Sequence, residues 1–360
     1  MRRSQGQSGG DDSVNIQTGQ NATVYVGVTV SQVRDIALDV FRANFLELRG
    51  LAEEVARDRA ERITRDFIDA LQARNPDGLA SIQDPDMQLA IYNAQKGYAS
   101  SGDEDLETAL VDLLVDRAGQ KSRDLKTLVL NQAIECLPRL TAEQRKALAI
   151  SFLVRHTAWA GPLALPLFYH QIATNLACFV DIGSLKLIDC QYAQSAGVGA
   201  VTQFHLKLED ALWQTYCGFL FKGFSVYQAE SQLRTHDLDD RQIRERIEDR
   251  SVFIPCIRNA EMLQFNAVSL NNVKELQSAK GLAGRPGSAG PLETLCLYGR
   301  ISDQEMKEDI VSHVPAMSQL FDRWNSSGLS NFELTAVGIA IGHAYWRQTT
   351  GGTASLDTWL

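Results

Sequence analysis

The sequence predicts a mainly α-helical protein, namely a multi-helix bundle that carries a short N-terminal β-repeat and one long amphipathic helix. Three observations support this fold class. Apolar residues recur at spacings of three and four over much of the chain, which is the period of a helix with one buried face. Helix-start signals of the capping-box type occur at Thr141 and Ser302. A clear alternation of apolar and other residues covers residues 23–30, which predicts one short strand.

Residues 9–16 and 19–26 form a repeat with a ten-residue period, in which a glycine and a polar turn precede a short strand. The strand has the pattern hydroxyl, Val, polar, aliphatic, so each unit buries only two aliphatic side chains. Two such units cannot cover one another, because repeat folds need about three or more units to enclose a core. We therefore predict that residues 1–30 are a flexible start and a β-repeat oligomerisation tag. Its expected contacts with other copies are Val14, Ile16, Val24 and Val26.

Residues 31–78 are predicted to form one long amphipathic helix. Ser31 is a suitable N-cap, and an apolar stripe with helical spacing includes Phe41 and Phe45 and continues to Val55. A helix of about 40 residues would span ~60 Å, which is longer than a compact domain needs. We therefore expect it to brace several subunits. Phe41 and Phe45 would lie either in contact with other copies or in the core of their own chain.

Residues 79–280 are predicted to form a helical core domain, and residues 281–360 a Gly/Pro loop followed by a C-terminal helical subdomain. Asp84 precedes Pro85, which is the pattern of an N-cap with proline at the first helical position. The stretch from residue 281 to residue 291 holds four glycines and two prolines, a composition typical of a loop.

Residues 157–180 contain no Asp, Glu, Lys or Arg, and this charge-free run is 24 residues long. A run of that length could span a membrane. Two prolines and several polar side chains, including His170 and Asn175, argue against insertion, because polar groups in lipid need partners within the protein. A buried helical hairpin is the favoured interpretation. A segment that meets a membrane after activation is the alternative.

The composition indicates which partners and which cellular compartment to expect. The chain has 360 residues and a net charge of −9, which argues against nucleic acid as a general partner but is compatible with a local basic patch. The six cysteines form no C-x-x-C pair, so we expect free thiols rather than zinc ligands or disulfides. The first residues lack the apolar run of a secretory signal, so we expect a cytoplasmic protein.

The motifs G-x-S-x-G, G-x-x-x-x-G-K and H-E-x-x-H are absent from the sequence. We therefore expect no cofactor, and the sequence favours a protein without intrinsic catalysis over an enzyme. The most suggestive constellation is Glu305, Asp309 and His313, which fall at four-residue steps on one helix face. Such ligands could hold a divalent metal or perform acid–base chemistry. A solvent-exposed face is the preferred interpretation.

Two further histidines have structural interpretations. His205 with Glu209 and Asp210 is the second candidate for a metal or acid–base site, but it lies in an aromatic-rich region, so the preferred prediction is a core histidine with internal partners. His343 follows Gly342 in an apolar helix and is predicted to pack in the core.

The end of the chain resembles winged-helix units in one local respect. Residues 332–339 read as a strand followed by a helix, and the resemblance rests on Leu334, Thr335 and Gly338. The region carries little Lys or Arg, and phosphate neutralisation needs these residues, so DNA binding is not favoured.

Three features carry a resemblance to other proteins, namely the repeat, the helix at residues 36–45 and the end of the chain at residues 334–341. In these features the chain resembles an uncharacterised bacterial protein family. The β-repeat resembles short N-terminal tags on bacterial conflict and anti-phage proteins. These resemblances imply a bacterial cytoplasmic protein with a role in defence, and they bring no catalytic residues.

The expected function is that of a homo-oligomeric helical sensor or scaffold in anti-phage defence. Its partners would be other copies of itself and another defence-system protein or a phage component. The alternatives are an effector that perturbs membranes through residues 157–180, and a metal-dependent hydrolase or nuclease.

Overall fold

The computed structural model describes residues 29–44, 50–159, 161–183, 185–236, 238–282 and 289–360. Within these residues the fold is mainly α, as predicted. The helices are α1 (Val30–Asn44), α2 (Leu51–Arg74), α3 (Pro85–Ser101), α4 (Glu104–Ala118), α5 (Leu125–Cys136), α6 (Ala142–His156), α7 (Leu165–Asn175), α8 (Leu187–Ser195), α9 (Leu208–Tyr216), α10 (Val226–Arg234), α11 (Asp240–Glu248), α12 (Leu270–Ala279), α13 (Pro291–Gly299), α14 (Asp303–His313), α15 (Met317–Ser326) and α16 (Ala336–Thr350).

Four short strands and several 3₁₀-helices complete the described elements. The strands are β1 (Gly199–Val201), β2 (Phe253–Pro255), β3 (Leu263–Phe265) and β4 (Phe332–Leu334). The 3₁₀-helices are Pro76–Gln83, Leu137–Arg139, Ala177–Phe179, Cys217–Phe219, Gly328–Asn331 and Leu356–Thr358.

The predicted N-cap at Ser31 is wrong, because α1 already begins at Val30 and the Gln32 amide donates to the Thr29 hydroxyl. The predicted capping boxes at Thr141 and Ser302 are confirmed. The Thr141 hydroxyl accepts from the Gln144 amide, and the Gln144 side chain accepts from the Thr141 amide in return. Ser302 and Glu305 form the same reciprocal pair at the start of α14. These bonds satisfy backbone N–H groups that have no partner within the helix.

The prediction of one long helix over residues 31–78 is wrong, because the structure has two shorter helices there. α1 ends at Asn44 and α2 begins at Leu51, directly after Gly50, whose φ is +65°. That left-handed conformation favours glycine and interrupts a right-handed helix. α1 folds back instead and packs against both α2 and α3.

A buried glutamine ties this N-terminal hairpin to the next helix. The Gln95 side-chain amide on α3 donates to the Ala37 carbonyl on α1 at 3.2 Å and to the Thr64 hydroxyl on α2 at 2.8 Å. Because buried amide groups are costly to leave without partners, these bonds fix how α1 lies against α2 and α3.

The C-terminal helix α16 lies at the centre of the helical core, where it packs against α4, α5 and α6. Gly342 comes so close to α6 that an added Cβ would lie 2.7 Å from the Leu148 carbonyl oxygen. One continuous hydrophobic core extends from Val33 to Leu356. Residues 281–360 and residues 79–280 therefore share one core.

An ionic network joins α2, α4 and α16 on one side of this core. Asp112 on α4 binds both Arg74 from α2 and Arg347 from α16. Arg347 also lies 2.7 Å from Asp116, one turn further along α4. The helical N-terminal region is thus fastened to the C-terminal helix by charge as well as by packing.

The strands form two small antiparallel pairs. β1 pairs with β4, with Gly199 opposite Leu334, and β2 pairs with β3, with Phe253 opposite Phe265. β4 leads directly into α16, whose first turn is capped by the Thr335 hydroxyl. The strand-then-helix order predicted for residues 332–339 is therefore confirmed.

All six cysteines are free thiols, as predicted. Five of them are buried, and Cys178 is exposed. Partial burial of its sulfur raises the pKa of Cys178 to about 11. The exposed thiol therefore stays protonated near neutral pH, which is the unreactive form.

Candidate functional site

The three residues Glu305, Asp309 and His313 lie on α14, as the sequence predicts, but they have separate partners. The Glu305 carboxylate accepts from the Ser302 amide at 2.8 Å and completes the helix cap. This bond, with the Ser302 hydroxyl, holds the pKa of Glu305 below its usual range. Glu305 therefore serves the start of its own helix rather than a shared site with Asp309.

Asp309 is held by two residues from distant parts of the chain. Arg258 reaches both carboxylate oxygens, with Nη1 to Oδ1 at 3.0 Å and Nη2 to Oδ2 at 2.7 Å. The Tyr169 hydroxyl lies 2.9 Å from Oδ1 and 2.8 Å from Oδ2. Arg258 is itself oriented by a bond of 2.7 Å from Nε to the Phe219 carbonyl. Bidentate pairs of this kind are strong and have a fixed geometry.

The His313 ring stacks on Tyr169, with ring centroids 3.8 Å apart and an angle of 2° between the planes. Its Nδ1 lies 2.9 Å from the Asp309 carbonyl oxygen. We call Tyr169, Arg258, Asp309 and His313 the α14 cluster. It joins α7, the segment after β2, and α14.

Electrostatic interactions in the α14 cluster hold Asp309 and Tyr169 in fixed protonation states near neutral pH. Burial alone would raise the pKa of Asp309, but the hydrogen bonds from Arg258 and Tyr169 outweigh burial and hold the pKa below its ordinary value. Burial and the bond to Asp309 raise the pKa of Tyr169 to about 12. The carboxylate stays ionised and the phenol stays protonated near neutral pH, so neither is suited to proton transfer there.

The geometry gives no support to a metal site at the three predicted residues. Both oxygens of Asp309 are already occupied, and Glu305 faces the helix start. Across the described ranges, no group of three or more His, Cys, Asp or Glu side chains is placed to hold a metal ion. The α14 cluster instead holds α7, the segment after β2 and α14 together.

The prediction of a core histidine at position 205 is wrong. His205 is exposed and precedes α9, and its Nδ1 lies 3.4 Å from the Asn331 side-chain oxygen. The neighbouring acids point to other partners: Glu209 accepts from Asn325 at 2.9 Å, and Asp210 binds Arg300 at 2.9 Å. No shared site forms.

The packing prediction for His343 is confirmed. Its ring is fully buried, meets the Phe152 ring edge-on with centroids 5.8 Å apart, and has Nε2 2.8 Å from the Ala354 carbonyl oxygen. Burial lowers the pKa of His343, so the ring is neutral near pH 7.

Five of the six residues predicted to contact other copies, namely Val14, Ile16, Val24, Val26 and Phe45, lie outside the described residues. The sixth, Phe41, is 4% exposed and lies in a small cluster with Ala56, Ala60 and Ala99 of its own chain. Of the two alternatives for Phe41, the structure therefore places it in the chain's own core.

The start of α2 presents apolar side chains to solvent. Leu51 is 75% exposed and Val55, one turn later, is 38% exposed. Ala52 between them is also exposed. We call these three residues the α2 patch. It belongs to the apolar stripe that the sequence places within residues 31–78.

The charge-free residues 157–180 fold into α7 and a 3₁₀-helix, Ala177–Phe179. Their larger apolar side chains, including Phe168, Ile172 and Phe179, are buried in the hydrophobic core. In the described part of the chain, no helix is both long and apolar enough to cross a membrane.

The sequence offers no local signal for Tyr169 or Arg258, which reach Asp309 across 140 and 51 residues of chain. Tyr169 lies in the charge-free run, where it reads as one more apolar position. Arg258 follows a strand of only three residues. Contacts over such separations arise from the tertiary fold, which periodicity cannot give.

A protein-family model matches residues 27–360, which is nearly the whole chain, and the chain therefore belongs to that family, an uncharacterised one. No curated protein and no solved structure gives a significant match.

Proposed function

We propose that this member of an uncharacterised family is a homo-oligomeric helical sensor or scaffold protein of a bacterial anti-phage defence system, without catalysis of its own. Assembly takes place through residues 13–55, and the further partner is another defence-system protein or a phage component. The observation that carries the proposal is the α2 patch.

The α2 patch supports assembly because its side chains are exposed and the described residues of the chain do not cover them. Leu51 and Val55 are one helical turn apart, so a partner surface can cover both at once. Burying a leucine or valine side chain fully is worth about 1.5–3 kcal/mol. Exposed leucines also occur elsewhere on this protein, as at Leu125, and single ones need no explanation. What distinguishes Leu51 and Val55 is that they lie within residues 13–55 and belong to the apolar stripe predicted there.

The β-repeat supports the proposal from the sequence alone, since residues 13–26 lie outside the described residues. Each repeat unit offers two aliphatic side chains, and two units are too few to form a core. Other copies of the chain would supply the missing surface. The resemblance of the repeat to tags on anti-phage proteins supports the role in defence.

A role without catalysis is supported by the only acidic and histidine constellation that the sequence singled out on one helix. In the α14 cluster both Asp309 oxygens are bound by Arg258 and Tyr169, which leaves no carboxylate free for a substrate. That arrangement serves the fold.

The assembly proposal is tested by light scattering on the full-length chain, whose monomer mass is 39.8 kDa. We expect an oligomer at micromolar concentration, and a shift toward the monomer mass for the double variant Leu51→Glu, Val55→Glu. Glutamate in the first turn of a helix, as at position 51, favours the helix, and position 55 one turn later is exposed, so the fold should survive.

The matched control is Leu125→Glu, Leu128→Glu. These residues are 70% and 44% exposed and lie near the start of a helix, α5, as the α2-patch residues lie near the start of α2. The control should keep the oligomer mass. A monomeric wild type, or equal dissociation of control and α2-patch variants, would overturn the proposal.

The defence role is tested separately, by plaque counts on bacteria that express the full-length chain with its neighbouring genes. We expect protection by the wild type and the α5 control, and loss of protection with the α2-patch variant. Unprotected wild-type cells would contradict a defence role, whereas full protection by a monomeric α2-patch variant would contradict the link to assembly.

A further inference from the structure

A cavity of about 580 Å³ opens where α8 begins, beside α15 and the 3₁₀-helix Gly328–Asn331. This volume falls within the range of roughly 300–1,000 Å³ that is usual for small-molecule sites. It is lined by Ile182, Gly183, Leu185, Lys186, Leu187, Arg323, Ser326, Ser327, Gly328 and Asn331. We call it the α8 cavity.

The charge of the α8 cavity is opposite to that of the chain. Its lining includes two basic side chains, Lys186 and Arg323, and no acidic one. The whole chain carries 44 acidic and 35 basic residues, so a lining of this kind departs from the average surface. The α8 cavity is thus a local basic site, which the acidic net charge of the chain does not exclude.

Both cations have donor groups to spare. Arg323 uses Nη1 for the Val180 carbonyl and lies 3.6 Å from the exposed Asp181 carboxylate. Within the described ranges, its Nε and Nη2 and the Lys186 Nζ have no protein acceptor. A guanidinium held at one end presents its remaining N–H groups in a fixed direction, which suits the oxygens of a phosphate.

The walls of the α8 cavity are closely packed and partly apolar. Gly328 lies against α8 so closely that an added Cβ would be 2.7 Å from the Cys190 sulfur. Ile182 and Leu185 lie at the core side of the cavity and are almost fully covered by the chain, whereas Leu187 is 51% exposed. A bare phosphate would fill only a small part of a cavity of about 580 Å³ and would leave Leu187 uncovered, whereas an organic body attached to the anion would cover it.

We propose that the α8 cavity binds a small organic phosphate, with the phosphate on Lys186 and Arg323 and the organic part against Leu187. The first turn of α8 is already capped by Asp189, whose carboxylate accepts from the Lys186 amide, so the two side-chain cations supply the positive charge. The cavity and its two cations are the grounds for the proposal. It goes beyond assembly through residues 13–55 and does not depend on it.

The test is isothermal titration of the full-length protein with AMP, GMP, UMP and glucose 6-phosphate, alongside inorganic phosphate and adenosine. We expect at least one organic phosphate to bind at least about tenfold more tightly than inorganic phosphate or its own unphosphorylated part. Binding should also weaken as salt concentration rises.

The variants Arg323→Gln and Lys186→Gln should each weaken that binding by about tenfold or more. Lys186 is exposed and forms no ion pair with any residue that the structure describes, so its variant should fold even if the Arg323 variant is unstable. The control is Arg139→Gln, a helix-end arginine paired only with Glu135 among the described residues.

Three results would overturn the proposal. The first is that no member of the panel binds, and the second is that inorganic phosphate binds as tightly as every organic phosphate. The third is that the variants do not distinguish the cavity, either because binding is unchanged in Lys186→Gln or because Arg139→Gln weakens binding as much as Arg323→Gln does. The oligomer mass is measured independently, so failure here leaves the assembly proposal untouched.

Discussion

Glu107 provides the sharpest prediction, because it is a buried carboxyl group with incomplete hydrogen bonding. Its side chain, on α4, is 4% exposed, and Oε2 lies 3.1 Å from Nε of Arg62 on α2. Its other oxygen, Oε1, has no hydrogen-bond partner among the described residues. Burial raises the pKa of Glu107 to about 7; Asp66 adds to the rise, and Tyr98 and Arg62 oppose it.

The direction of the pH effect follows from this raised pKa. The ordinary value is 4.5 and the folded value is about 7, so the folded chain binds more protons than the unfolded chain between these pH values. The free energy of unfolding therefore falls as the pH rises through this window, and the loss is complete above about pH 7. At about 1.4 kcal/mol per pKa unit, the full loss is at most about 3.5 kcal/mol.

The variant Glu107→Gln removes the titration and keeps the shape of the side chain. We expect it to be more stable than the wild type by about 1–3 kcal/mol at pH 8, and within about 1 kcal/mol at pH 5, where the wild-type carboxyl is protonated. The measurement is urea denaturation of both proteins at several pH values between these limits. The difference between the two curves isolates Glu107 from every other titrating group.

The matched control is Glu104→Gln on the same helix. Glu104 binds the same arginine, Arg62, at 3.0 Å, but its side chain is 74% exposed. An exposed pair contributes little, so the control should show no comparable dependence on pH. If the difference between Glu107→Gln and the wild type were the same at pH 5 and pH 8, the reasoning would be refuted.

Two further substitutions test the contacts described above. Asp309→Asn should lower the free energy of unfolding by about 2 kcal/mol, because it leaves the half-buried Arg258 without a carboxylate. Chemical denaturation measures this loss, with Asp322→Asn as the exposed control. A loss as small as that of the control would contradict the role of the α14 cluster in holding three segments together. Gly338→Ala should cost about 3 kcal/mol or prevent folding, because its Cβ would lie 1.9 Å from the Val198 carbonyl oxygen; a melting temperature close to that of the wild type would contradict so close an approach.

Local signals in the sequence predicted the local parts of the fold. Thr141 and Ser302 start helices because the capping box lies within four residues of chain, where no tertiary contact is needed to form it. Thr335 is similar, since its hydroxyl caps α16 directly after β4. Gly338 was singled out for its place in the motif, and the structure supplies the reason, which is its approach to the Val198 backbone.

The parts that the sequence could not give depend on partners from elsewhere in the chain. The spacing of Glu305, Asp309 and His313 correctly placed them on one helix, but spacing does not say what faces that helix. Arg258 and Tyr169 occupy Asp309 from other segments. The α8 cavity is assembled in the same way, since Lys186 and Arg323 are far apart in sequence and neither lies in a basic run.

Because residues 31–78 contain two helices rather than one long helix, fewer of their apolar residues support the proposed assembly. An apolar stripe shows which face of a helix needs cover, but it does not say whether that cover comes from the same chain or from another copy. Gly50 allows the chain to turn back, and Phe41 then finds its cover on α2 and α3 of its own chain. The stripe is therefore weaker evidence for self-association. Among its described residues, those of the α2 patch remain exposed. The α2 patch and the β-repeat are therefore separable: the Leu51→Glu, Val55→Glu variant tests the patch, and deletion of residues 1–28 tests the repeat.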